Sequence, residues 1–240
     1  MSTSTKTAVV TGAGSGVGRA VAIELARQGW NVVAAGRTQR TLDETVKLAG
    51  ERAVAHACDV SDARQVQELA QHVERDFGGA SVLVNSAGAN VPKRFLSELS
   101  LEDYHALIGI NLNGAFYCVH EFLPMMRRAG GGTIVNINSV AGLRANPVSG
   151  AAYTAAKFGL RGLTQTINLE ECRHGIRACD IFPGEINTPL MDKRPKPPTA
   201  EQREKMLAAD DVAACVMLVI NLPPRAVVQE ITIRPGNSQI

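Results

Sequence analysis

The sequence is short of several things, and each shortage excludes something. Aromatic residues make up 4 % of the 240 residues, and no stretch interleaves them with basic side chains. The formal net charge is only +2. A nucleic-acid partner, which calls for a basic stripe or block, is therefore not expected. Arg127-Arg128 and the basic residues between Lys193 and Lys205 are dispersed charges that suit a solvated surface. No apolar run approaches ~20 residues, so no membrane-spanning helix is expected. Met1 to Thr5 is polar and a strand begins directly after it, so no leader segment is read there. The five cysteines (Cys58, Cys118, Cys172, Cys179, Cys215) include no C-x-x-C pair and are odd in number. They read as reduced thiols in a cytoplasmic protein. The five histidines are equally dispersed, so no metal is expected.

What is present is ordinary for a globular α/β domain: 45 % hydrophobic and 20 % charged residues, with length enough for one full core. Apolar strand cores recur near Thr7–Val10, Asn31–Ala35, Ala53–Ala57, Val82–Asn85, Thr133–Ile137, Arg177–Phe182 and Gln229–Ile233. Helical segments alternate with them, the longest near Leu101–Arg128 and Ala151–His174. This alternation predicts a single Rossmann-type domain over residues 1–240, a doubly wound, seven-stranded parallel sheet with helices on both faces. The first five strands are apolar throughout, as strands covered on both faces should be. Four prolines between Asn187 and Lys205 mark a short lid, at about residues 187–208, in place of a domain linker.

The first strand runs into Thr11-Gly12-Ala13-Gly14-Ser15-Gly16-Val17-Gly18, and Arg19 to Arg27 has helical periodicity. Strand, glycine-rich turn and helix are the context of a dinucleotide site. Gly12 permits the tight turn, Gly16 lets a pyrophosphate approach the backbone, and Gly18 lets the helix pack on the sheet. The free amides of the helix start, from Ser15 to Gly18, would face the anion. A tight βα turn with no ligand is the plainer alternative.

Tyr153 and Lys157 lie four residues apart in an Ala-rich segment that reads as helix, so phenol and ammonium share a face. A free phenol has a pKa near ~10; bringing it to neutrality needs roughly 4 kcal/mol of anion stabilisation, which a fixed cation can supply. Such a pair can move a proton on and off an alcohol oxygen.

The glycine spacing is T-G-x-x-x-G-x-G. Further segments follow in order: Asp59-Val60, Asn85-Ser86-Ala87-Gly88, Ser139, and Pro183-Gly184 through Thr188. With the Tyr-Lys pair, this series resembles the short-chain dehydrogenase/reductase family from Thr11 to Thr188. The resemblance implies hydride transfer between NADP(H) and a small-molecule carbonyl or secondary alcohol. It implies a Ser139-Tyr153-Lys157 triad with Tyr153 as proton donor and acceptor, and an asparagine that holds a water linking Lys157 to solvent. Asn111 and Asn113 both qualify, and the family's Asn-x-x-Gly pattern favours Asn111. By the same resemblance Asp59 holds the adenine edge with Val60 beside it. Asn85, Ala87 and Gly88 lie along the cofactor while steadying the central strand. Pro183 and Gly184 let the backbone reach the nicotinamide, and Ile186 and Thr188 contact it.

Cofactor choice turns on the end of the second strand. NAD-binding members of the family carry an acidic residue where Gly36 stands, and Arg37 instead offers a guanidinium suited to a 2′-phosphate. Arg40 could assist. NADP(H) is the expected cofactor and NAD(H) the alternative, since Ser15 takes a turn position where some NADP-preferring members are basic. The substrate pocket is expected from Ala89, Asn90, Val91, Arg94, Val140, Leu143, Arg144, Val148, Glu185, Leu190 and Met191. Arg94 and Arg144 could bind an acid group, with the pocket rim as the plainer place for both. The stretches from Pro183 to Arg225 and from Glu230 to Pro235 resemble the NADP-dependent 3-hydroxy acid (serine-type) branch. A 3-oxoacyl-carrier-protein reductase and a non-enzymatic nucleotide-sensing regulator are the competing readings. The regulator sits poorly with an intact Asn111, Ser139, Tyr153 and Lys157. Leu160, Leu163 and Ile167 form an apolar side on a helix already committed to the active site. With the family's habit, this points to a homodimer or homotetramer.

Overall fold

A computed structural model describes residues 6–236. Met1 to Thr5 and the last four residues, Asn237 to Ile240, lie outside the described residues, and with them the reading of the polar start. Seven strands form one parallel sheet: β1 (Thr7–Thr11), β2 (Asn31–Gly36), β3 (Ala53–Ala57), β4 (Val82–Asn85), β5 (Gly132–Ile137), β6 (Ile176–Pro183) and β7 (Glu230–Ile233). Their order is β3-β2-β1-β4-β5-β6-β7. The order reverses between β1 and β4, and a crevice opens beyond the carboxyl ends of the strands at that point, where ligands of such sheets bind.

Among the described residues, eight α-helices accompany the sheet: α1 (Gly16–Arg27), α2 (Gln39–Ala49), α3 (Ala63–Phe77), α4 (Leu101–Ile108), α5 (Gly114–Ala129), α6 (Ala151–Glu171), α7 (Ala200–Glu204) and α8 (Ala209–Asn221). Residues alternate between the sheet faces. Ala8 and Val10 of β1 therefore pack with Val21, Leu25 and Val216 of α1 and α8. Val9 packs instead with Leu69, Val73 and Phe122 of α3 and α5 on the other face. Both faces are covered, which is why the central strands contain almost no exposed residue.

The helix expected over Leu101–Arg128 is interrupted. Gly109–Asn113 forms a π-helical turn between α4 and α5. Asn111 sits in it, and its side-chain amide donates to the Leu107 carbonyl at 2.9 Å, supplying one carbonyl a partner that the widened turn withdraws. Gly114 follows at once, and a Cβ there would stand 2.7 Å from Val60, so only glycine lets α5 approach the end of β3.

The segment expected as a lid leaves and returns through one place. Ile186 bridges Leu207, and the Asn187 amide donates to the Leu207 carbonyl at 2.8 Å. Between these points lie a 3₁₀ turn (Pro189–Lys193) and the one-turn helix α7.

Candidate active site

Two adjoining cavities occupy the crevice. The larger, about 390 Å³, begins at the glycine-rich turn. Gly12 and Gly16 there have φ of +64° and +52°, a region that favours glycine. Gly12 is also pressed on the end of β4, where a Cβ would meet Ala87 at 2.8 Å. Gly18 lies so near the Gly12 carbonyl (2.4 Å from an added Cβ) that any side chain would push α1 off the turn. The first turn of α1 carries no acidic residue, and Ser15 at its N-cap makes no side-chain cap bond. Amides at that end are thus left for an outside anion. Ser15 and Val17 line the cavity beside the three glycines.

Arg37 and Asp59 lie further along the same wall, with Val60. Arg37 is exposed and makes no ion pair among the described residues. Arg40, expected as its helper, is instead held by Glu44 at 2.6 Å, an i,i+4 pair that competes for its guanidinium. Gly36 leaves room beside Arg37 where an acidic side chain would otherwise stand. The Asp59 carboxylate accepts from the amide and hydroxyl of Ser61, at 3.0 and 2.7 Å, which fixes its direction. This wall suits an adenine ribose bearing a phosphate: a free guanidinium, open amides, no opposing carboxylate at Gly36. A dinucleotide cofactor therefore fits the donor set present.

The second cavity, about 290 Å³, shares Asn138, Tyr153, Ile186, Thr188 and Leu190 with the first. Tyr153 thus stands at the junction of the two. Ala87, Gly88, Lys157, Ile186 and Thr188 line the first cavity, while Ser139, Pro183 and Gly184 line the second. Two expected residues line neither. Asn85 is buried and donates to the Asn136 side chain at 2.9 Å, so it ties β4 to β5, the steadying role expected of it. Its amide is consumed by the neighbouring strand. Asn111 is buried too, and it pairs with the Ala89 backbone in both directions, at 2.9 and 3.2 Å.

The helix α6 does present Tyr153 and Lys157 together, and Lys157 Nζ lies 5.6 Å from the centre of the phenol ring. Lys157 is buried and donates to the Ile137 carbonyl at 2.8 Å. Burial brings its pKa down to about 8, opposed in part by Asp180. Enclosure of the Tyr153 hydroxyl raises its pKa; a hydrogen bond from Ser139 and the charge of Arg94 pull it back. Arg94 thus adds a second positive charge that acts on the phenol, beside the Lys157 ammonium under the ring. Arg94 is buried, 4 % exposed, and not on the rim. Its place follows from a local contact with the Val91 carbonyl and from two that are distant in sequence, with the carbonyls of Val148 and Lys193.

Of the residues expected around the substrate, Asn90, Arg94, Val140, Arg144, Val148, Glu185, Leu190 and Met191 line the second cavity, while Ala89, Val91 and Leu143 do not. Sequence reasoning missed Asn146, Ser149, Arg194 and Arg234. Arg234 follows β7, far along the chain from every motif, and only the position of β7 at the sheet edge brings it in.

Beneath the site, Asp180 of β6 is fully buried. Asn138 donates to its carboxylate at 3.1 Å and, through its own carbonyl, accepts the Ser139 amide at 2.9 Å. Burial pushes the Asp180 pKa up to about 7. A carboxyl whose folded value is raised contributes stability that is present below its ordinary value and lost as pH rises through the folded one. Between pH 5 and 8 that loss is on the order of 2 kcal/mol, at ~1.36 kcal/mol per unit. Asp180→Asn should remove this loss, and urea unfolding of both proteins at the two pH values checks it.

The sequence pattern described as short chain dehydrogenase matches residues 6–198. This chain belongs to that family. It is 36 % identical over 195 residues to a D-beta-hydroxybutyrate dehydrogenase of Rhizobium meliloti, covering 79 % of this chain and 75 % of the relative. The structure superposes on an alcohol dehydrogenase from the archaeon Thermococcus sibiricus, complexed with 5-hydroxy-NADP, with a TM-score of 0.86. Identity is 31 %, and the match covers 98 % of each chain. A serine dehydrogenase in its closed form, complexed with NADP⁺, gives 0.88 at 27 % identity, covering 98 % of this chain and 96 % of that one. The protein is accordingly an oxidoreductase that acts on CH–OH groups and their carbonyl counterparts with a nicotinamide cofactor. The non-enzymatic regulator drops out.

Proposed function

We propose that this short-chain dehydrogenase reduces and oxidises a small carbonyl/secondary-alcohol pair with a preference for NADP(H), Tyr153 being its acid and base. The observation that carries this reading is the position of Tyr153 at the junction of the two cavities. When bound, the cofactor supplies or accepts the hydride. Ser139 holds the substrate oxygen, and Tyr153 gives that oxygen its proton during reduction and takes one back during oxidation. Lys157 keeps a positive charge under the phenol and reaches the nicotinamide ribose. Asn111 shapes the chain around Gly88 and Ala89 and completes the proton path to solvent. Arg37 and the amides of Ser15 to Gly18 hold the phosphates, with Asp59 and Val60 at the adenine. Gly184, Ile186 and Thr188 hold the nicotinamide end, under a lid formed by residues 187–208. A 3-hydroxy acid is the narrower substrate reading, supported by the names of the hydroxybutyrate and serine dehydrogenases above.

Oxidation of NADPH against a panel of aldehydes, ketones and keto acids, followed by absorbance, tests the reading. No consumption with any of them would refute it. The carrier-protein alternative draws little support, because Arg127 and Arg128 are already paired with Glu171 and Glu74. Five unpaired thiols suit a reducing compartment such as the cytoplasm, and among the described residues no helix is long and apolar enough to cross a membrane.

The assembly reading needs a correction in its residues. Leu160 and Ile167 are buried within their own subunit, and Leu163 packs on the same core, so this side of α6 covers the sheet. The large exposed apolar groups on α4, α5 and α6 are Leu101, Tyr104, Phe116, Phe158 and Leu169. A homodimer or homotetramer would cover them. Phe116→Glu should then reduce the mass seen by light scattering, and a wild-type mass of 25.5 kDa would contradict assembly altogether.

A further inference from the structure

The second cavity has an unbalanced charge. Arg94, Arg144, Arg194 and Arg234 line it against one carboxylate, Glu185, which is bound to Arg194 at 2.7 Å. Arg94, Arg144 and Arg234 have no acidic partner among the described residues, on a chain whose net charge is only +2. Arg94 is the most telling of them. It is buried, yet its hydrogen bonds go to the backbone carbonyls of Val91, Val148 and Lys193, which satisfy N–H groups but do not neutralise a cation. A guanidinium has five N–H donors, so two remain to be used. Burial without a counter-ion is costly, and an arriving anion would offset that cost.

We propose that the wall formed by Arg94, Arg144 and Arg234 is a carboxylate subsite, and that the substrate is a small keto or hydroxy acid in its anionic form. This rests on the hydride-transfer reading above for the reaction, and on the arginines alone for the acid. Val140, Val148, Leu190 and Met191 line the same cavity and suit a short apolar stem between the carbonyl at Tyr153 and the carboxylate. The volume, about 290 Å³, lies at the small end of ligand sites, which run from roughly 300 Å³ upward. Because arginine stays charged throughout the working range, the subsite does not switch off with pH. Its guanidinium fork also matches a carboxylate in geometry.

The test compares acetoacetate with its neutral ethyl ester. For wild type, kcat/KM with NADPH should favour the acid by at least about tenfold. Arg144→Gln and Arg234→Gln each remove a charge that has no acidic partner among the described residues, so the fold should survive. Each should cut the acid-over-ester preference by about tenfold, through KM for the acid. A second measurement does not depend on turnover: calorimetric titration of both compounds into protein loaded with NADP⁺, where no hydride can pass to the ketone. Tighter binding of the acid, weakened in both variants, supports the subsite even if no ketone is reduced, and in that case the hydride-transfer reading alone falls. Equal affinity for acid and ester in wild type, or a preference unaltered in both variants, overturns the proposal while leaving hydride transfer standing.

Discussion

Tyr153→Phe is expected to lower turnover by about 10²–10⁴-fold, the range that a positioned acid or base contributes, while cofactor affinity stays near wild type. The substitution keeps the ring that fills the junction between the cavities and removes only the hydroxyl that Ser139 binds. Steady-state kinetics and a separate fluorescence titration of NADPH distinguish the two effects. Turnover close to wild type would mean that another group moves the proton. Lys157→Ala should damage both quantities, because its ammonium stands under the phenol and lines the cofactor cavity. The pH dependence has a definite sign. Burial raises the Tyr153 pKa, so the neutral phenol needed for carbonyl reduction persists well above neutrality. Alcohol oxidation starts from the phenolate, and its optimum should therefore lie at higher pH than that of reduction.

The second large effect is on cofactor choice. Gly36→Asp with Arg37→Ala should reverse a preference for NADP(H), because each change acts against the 2′-phosphate. The new carboxylate repels it and offers an acceptor to a free ribose hydroxyl, while the lost guanidinium removes a charge-assisted bond. Such bonds are worth ~1.5–3 kcal/mol, or roughly one to two orders of magnitude in affinity. The combined shift in the NADP/NAD ratio should exceed about a hundredfold in kcat/KM. Space exists for the aspartate: the nearest atom to a Cβ at Gly36 would be the end of the Leu42 side chain, at 3.3 Å, with the Gly14 amide nitrogen at 3.9 Å. If the wild-type protein binds NAD more tightly than NADP, Arg37 is merely a solvated residue before α2. Arg40 is not expected to compensate, since Glu44 holds it.

Much of this molecule could be read from the chain before any coordinates. The seven strands fall within a residue or so of their expected positions, and the central ones are the plainest, because a strand buried on both faces must be largely apolar. The glycine-rich turn was legible for a related reason: backbone contact at Gly12 and Gly18 admits no side chain, so the constraint is written directly as residue identity. Tyr153 and Lys157 lie on one helix, and helical spacing alone places them together.

The rest depended on contacts between distant segments. The π turn at Gly109–Asn113 arises from local bonding by Asn111 and close packing at Gly114, and a smooth helical pattern hides it. The apolar side of α6 could cover either its own sheet or a second subunit; periodicity is the same for both, and only packing assigns Leu160 and Ile167 to the core. Arginines are the clearest case. In sequence Arg94 and Arg144 are expected at the pocket, most plainly on its rim, while Arg194 and Arg234 carry no signal, and the four are spread over more than half the chain. Tertiary structure buries one of them against carbonyls, ties another to Glu185 and brings all four to one cavity. The sequence by itself determined the fold, the turn for the cofactor and the helix that carries the proton-transferring pair. Charge around the substrate was decided by tertiary structure, because electrostatic fields depend on distances in space that no spacing along the chain encodes.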